Sequence, residues 1–122
     1  MPLEFCVIDD AIDEETHVVE PHGEIDLATI GEVEERLAAA VDAGRRFVIV
    51  DLEQVGFLDS TCLRVLLRIR RRLAPLGGKV IVACPDPQQL DTFEITGLTE
   101  ILNVTPSRDD ALAEARRSAG AG

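Results

Sequence analysis

Apolar and polar positions alternate along this chain in short blocks, and the period of each block predicts its structure. Residues 3–8 and 16–21 are β-rich runs parted by Asp9, Asp10, Asp13 and Glu14, which predicts an opening antiparallel pair. Pro21 lacks a donor for a ladder and is expected at an edge or strand end. Gly23-Glu24-Ile25-Asp26 then reads as a strand break, with Asp26 placed to cap a helix over residues 27–43. In that segment Ile30, Val33, Leu37, Ala40 and Val41 recur at helical spacing with acidic residues between them, and Gly44 follows as a stop. Residues 47–52, Phe-Val-Ile-Val-Asp-Leu, form a continuous apolar run closed by an acid, the pattern of a strand buried on both faces.

Two more strand and helix units follow. A helix over residues 60–75 is stopped by Pro75 and Gly77-Gly78, and residues 79–84 repeat the buried-strand pattern. Pro85 and Pro87 lead into a short helix over residues 88–95, ended by Gly97-Leu98. Residues 101–104 read as a last short strand, residues 108–118 as an Ala-rich closing helix, and residues 118–122 as a flexible tail. Strands alternating with helices imply right-handed crossovers and a parallel component in the sheet, so the class is α/β. The segment 3–117 is expected to fold as one domain, since 122 residues suit a single core.

Composition narrows the chemistry. No apolar run approaches the ~20 residues that span a bilayer. Met1-Pro2-Leu3-Glu4 lacks the basic lead and apolar stretch of a secretory signal, so cytoplasmic residence is expected. A formal charge of −11 argues against direct binding to nucleic acid or insertion at an anionic membrane, and favours protein partners. Cys6, Cys62 and Cys84 have no metal-ligand spacing and read as reduced thiols, with Cys6 and Cys84 expected to be buried. His17 and His22 differ in strand parity, no nucleophile stands at a recognisable spacing, and no nucleotide, metal or cofactor motif is found. No intrinsic enzyme activity, no metal and no cofactor are therefore expected.

The informative stretch is Asp59-Ser60-Thr61, at the junction of a loop and a helix. All three residue types are strong N-caps, because their side-chain oxygens accept the unpaired amide protons of the first turn. The same helix start suits a phosphate, which meets free amides and the positive end of the dipole. On a helical wheel Arg64, Arg68, Arg71 and Arg72 share a stripe beside Ser60, with Arg64 one turn on, while Cys62, Leu66, Ile69 and Leu73 point the opposite way.

Six pieces in order resemble a known family: Gly23-Glu24-Ile25-Asp26, Val50-Asp51-Leu52, Phe57-Leu58-Asp59-Ser60-Thr61, Leu63, Gly77-Gly78-Lys79-Val80, and Phe93-Glu94-Ile95-Thr96-Gly97-Leu98. Together they are similar to the STAS domain in its bacterial anti-sigma factor antagonist branch. The resemblance implies a mixed sheet of four or five strands with about four helices, mainly on one face. It implies that Ser60 is phosphorylated by an anti-sigma factor serine kinase, that the unphosphorylated form binds this kinase and frees a sigma factor, and that a serine phosphatase reverses the modification. Asp26, Asp59, Ser60, Thr61 and Arg64 are the implied partner-binding residues. Cys62 stands where the family commonly has glycine and Arg64 where a small residue is common, both in the expected kinase footprint. Cys62, near a helix start and arginines, is also a candidate low-pKa redox thiol. The other reading is a constitutive interaction module of a stress-signalling scaffold or of a lipid or anion transport system.

Overall fold

The computed structural model describes residues 4–121. Strands β1 (Cys6–Ala11) and β2 (Thr16–Ile25) open the chain as an antiparallel pair. Helix α1 (Ile30–Asp42) follows, then β3 (Phe47–Asp51), β4 (Val55–Leu58) and α2 (Ser60–Leu73), which ends in one 3-10 turn. After them come β5 (Lys79–Ala83), α3 (Pro87–Ile95), β6 (Val104–Thr105) and α4 (Arg108–Ala121). The strands lie in the order β1-β2-β3-β5-β6, with β4 also paired to β2, and all pairs except β1 and β2 are parallel. Among the described residues the mixed sheet has the expected five strands on its main path and one more, β4, off it.

Alternation along β3 and β5 divides the core into two layers. Val48, Val50, Val80 and Val82 face one side and pack with Val33, Leu37, Leu66, Ile69, Leu73 and Phe93 from α1, α2 and α3. Phe47, Ile49, Ile81 and Ala83 face the other side, where Ala111 and Ala115 of α4 cover them. Three helices on one face and one on the other explain why both strands are apolar at every position but their ends.

The extra strand comes from β2, which is longer than the sequence suggests. Its first half pairs with β3, Thr16 to Val19 opposite Phe47 to Val50, and its second half pairs with β4, from Gly23 to Ile25. Gly23-Glu24-Ile25 therefore continues the strand instead of breaking it. Pro21 is buried mid-strand, contrary to the expectation of an end position. Gly23 donates its N–H to the Gln54 carbonyl, so by alternation the Pro21 nitrogen faces the same edge, where β3 has ended and β4 has not begun. No ladder bond is lost there.

Three other boundaries differ from expectation. Helix α1 starts at Ile30 with Thr29 as N-cap, because Asp26 holds residues 27–29 in a preceding turn. Strand β6 is Val104–Thr105, displaced toward the C-terminus of the expected strand at 101–104. Ser118 does not begin a tail, since α4 continues to Ala121; Ser118 and Ala119 are half-buried, and Ala119 packs on the α4 core layer. Gly122 and Leu3 lie outside the described residues.

The turn from α2 into β5 depends on two glycines. Gly77 takes a left-handed φ of 73° and donates to the Ala74 carbonyl, and Gly78 donates to the Leu73 carbonyl, a Schellman closure. A Cβ on Gly78 would stand 2.1 Å from the Arg46 carbonyl oxygen.

Candidate functional site

The parallel strands β2 and β4 end side by side, and their ends bring the implied site residues together. The Asp59 N–H donates to the Ile25 carbonyl at 3.2 Å. Asp26 and Ser60 therefore emerge from neighbouring strand ends, at the end of the sheet where parallel α/β folds present their loops.

Each loop is fixed by its own aspartate. Asp26 Oδ1 accepts from the Ala28 N–H at 2.9 Å and the Thr29 N–H at 3.2 Å, while the Thr29 hydroxyl donates to the Glu24 carbonyl at 2.7 Å. This Asx turn leaves Leu27 80 % exposed. Asp59 is the N-cap of α2, its Oδ1 accepting from the Thr61 N–H at 2.9 Å and also from the Thr61 hydroxyl. Ser60 is the first helical residue and is exposed. Among the described residues none hydrogen-bonds its hydroxyl, whereas the neighbouring Thr61 hydroxyl is committed to Asp59.

The arginine stripe divides once α1 is in place. Arg68 pairs with Glu34 at 2.9 Å and Arg72 with Asp42, both across to α1. Arg64 and Arg71 are exposed and make no ion pair among the described residues. Cys62, Leu66, Ile69 and Leu73 are buried, as their wheel positions predict.

Burial corrects two cysteine expectations. Cys62 is fully buried, and loss of solvation, helped by the negative charge of Asp59, pushes its thiol up to about 12. That is the reverse of the low-pKa redox thiol, and it removes the Cys62 side chain from any partner footprint. Cys84 is buried as expected, but Cys6 is exposed, because Val7 and not Cys6 points into the core.

Phe57 is an addition that the sequence reading lacks. It is half exposed beside the site, paired in register with Glu24, while Val55 and Leu58 on either side are buried. Two inward residues three apart require an extra residue in the strand, and the register shift between Gly23 and Glu24 marks that bulge. Gly56 inside a β-run was the available signal. His17 pairs with Asp9 at 2.7 Å and His22 with Glu20. Among the described residues no cluster of three or more His, Cys, Asp or Glu is arranged to hold a metal ion, and no helix is long and apolar enough to cross a membrane.

This geometry can be set against known proteins. The STAS domain model matches residues 8–111. The chain is a member of the STAS family, in its anti-sigma factor antagonist branch. BtrV of Bordetella bronchiseptica, a protein named as an anti-sigma factor antagonist, is 34% identical over 91 residues, covering 75% of this chain and 78% of BtrV. The crystal structure of an anti-sigma factor antagonist from Mycobacterium paratuberculosis superposes with a TM-score of 0.79 at 28% identity, covering 93% of this chain and 95% of that one. The Bacillus cell fate determinant SpoIIAA in its phosphorylated form shares the fold, with a TM-score of 0.68 at 22% identity over 91% of this chain and 98% of that one.

Proposed function

We propose that this STAS domain is an anti-sigma factor antagonist that works by partner switching in the cytoplasm, as a binding protein and not an enzyme. The unphosphorylated domain binds an anti-sigma factor that is also a serine kinase, and the sigma factor is released. The kinase then moves the γ-phosphoryl group of ATP to Ser60 Oγ, with ADP and the hydroxyl proton leaving, and binding ends. A serine phosphatase restores the starting form by hydrolysis.

The observation that carries this reading is the exposed, unbonded Ser60 hydroxyl on the first turn of α2, flanked by a threonine whose hydroxyl is occupied. A phosphate adds about −1.5 to −2 charges and a hydrated group whose burial in an interface is costly. Full conversion from bound to free requires a differential affinity of about 5 kcal/mol. The domain itself need not unfold, because the free amides of a helix start accommodate the added charge. The contact surface of this reading is Ser60 with Asp26, Asp59, Thr61 and Arg64, joined by the exposed side chains of Leu27 and Phe57.

Incubation with ATP and serine kinases from the same cell, read by intact mass, tests the modification. Phosphate is expected on the wild type and not on Ser60→Ala. Kinase binding should persist in Ser60→Ala and fall in Ser60→Asp. Equal binding of the two variants, with no Ser60-dependent mass shift, would refute the switch and leave a constitutive interaction module.

A further inference from the structure

The arginines of α2 do not all have a structural role. Arg68 and Arg72 tie α2 to α1. Arg70, Arg71 and Arg72 lie in the last turn, where a cation complements the negative end of the helix dipole. Arg64 has neither role. It lies one turn from the positive end of α2, where a cation is disfavoured, and the first turn carries no acidic residue to offset it. It is exposed and, among the described residues, makes no ion pair.

Its position relative to Ser60 suggests what it meets. Residues four apart on a helix are stacked neighbours about 6 Å along the axis. Side chains on a helix lean toward its N-terminus, so the first turn is within reach of the Arg64 guanidinium. The carboxylates of Asp59 and Asp26 are each bonded through Oδ1 to their own loops, Asp59 by Thr61 and Asp26 by Ala28 and Thr29, and neither pairs with Arg64.

We propose that Arg64 is an internal clamp for the phosphorylated side chain of Ser60. The guanidinium presents paired N–H donors that match phosphate oxygens. In the unmodified domain Arg64 stands as a free cation on the contact surface. Once Ser60 is phosphorylated it turns inward to the phosphate, so one modification both adds an anion and withdraws a cation from the face a partner meets. This deepens the Ser60 reading and rests on it.

The test uses the full chain with phosphoserine installed at position 60 during translation, so no kinase is involved. A phosphorus NMR titration reads the second ionisation of the phosphate, ordinarily near pH ~6. In the wild-type background this midpoint should lie about half a pH unit below that of Arg64→Gln, about a threefold change in acid constant. Glutamine keeps the helix propensity at an exposed position, and the fields of Asp26 and Asp59 are common to both proteins. Arg71→Gln should leave the midpoint in place, and the Arg64 Nε–H resonance should shift on phosphorylation in both the wild type and Arg71→Gln. Coincident midpoints for wild type and Arg64→Gln, or an equal displacement by Arg71→Gln, would overturn the clamp. Failure of every kinase to modify Ser60 would instead overturn the switch and leave this titration interpretable.

Discussion

Replacing Asp59 with alanine removes the acceptor for the Thr61 N–H and hydroxyl. An N-cap aspartate is worth about 1 kcal/mol against alanine, within a range of ~0.5–2. The Thr61 hydroxyl is half-buried and regains solvent at small cost, so we expect a total of about 1–1.5 kcal/mol. For a chain of 122 residues this corresponds to a fall of about 3–6 °C in Tm. Urea unfolding followed by far-ultraviolet circular dichroism should show a lower midpoint with unchanged slope. Asp59→Asn retains a side-chain acceptor and should lose less than half as much. If Asp59→Ala unfolds with the wild type, or Asp59→Asn is equally damaged, the cap does not hold the helix start that presents Ser60, and the description of the site is wrong.

Gly78→Ala should cost at least about 2 kcal/mol in the same assay, because the new methyl meets the Arg46 carbonyl and neither backbone can yield without disturbing the pairing of β3 with β5. In the native protein a thiol reagent should label Cys6 and spare Cys62 and Cys84 until urea unfolds the chain; native labelling of Cys62 would contradict its burial. The Cys62 thiol ionises near 9.0 when unfolded and near 12 when folded, so its contribution to stability is complete below pH 9 and is lost as pH rises toward 12. A Cys62→Ala variant should show a shallower alkaline decline of stability. Phe57→Ala should leave the unfolding midpoint nearly unchanged yet weaken partner binding about tenfold, since exposed aromatics are common anchors of interfaces.

Strands β3 and β5 were legible in the sequence because burial on two faces leaves an unmistakable apolar run, and α2 because its apolar stripe is regular. Strand β4 was not, since four residues containing a bulge glycine offer neither alternation nor length. Its absence hid the second half of β2, which is extended only because β4 lies beside it. The start of α1 is not legible in the sequence because Asp26 serves an Asx turn as readily as a helix cap, and choosing between them requires the Thr29 hydroxyl bond to Glu24. At the site, Asp59 and Ser60 followed from local rules of helix capping. The sorting of the arginines did not, because Glu34 and Asp42 come from α1, 34 and 30 residues away in sequence.

The change of partner along β2 has a mechanical side. At Pro21 the strand passes from one ladder to another, and the proline can give no bond across that junction. The end of β2 together with β4 is held to the rest of the sheet by the β1 ladder, which spans that junction with Val7 opposite Pro21 and Cys6 opposite His22, and by the Gln89 side chain of α3, which donates to the Val55 carbonyl at 2.6 Å. A load placed at Ser60 by a docking protein is therefore shared between β1, α3 and β2 itself, and none of it falls on the pairing of β3 with β5 alone.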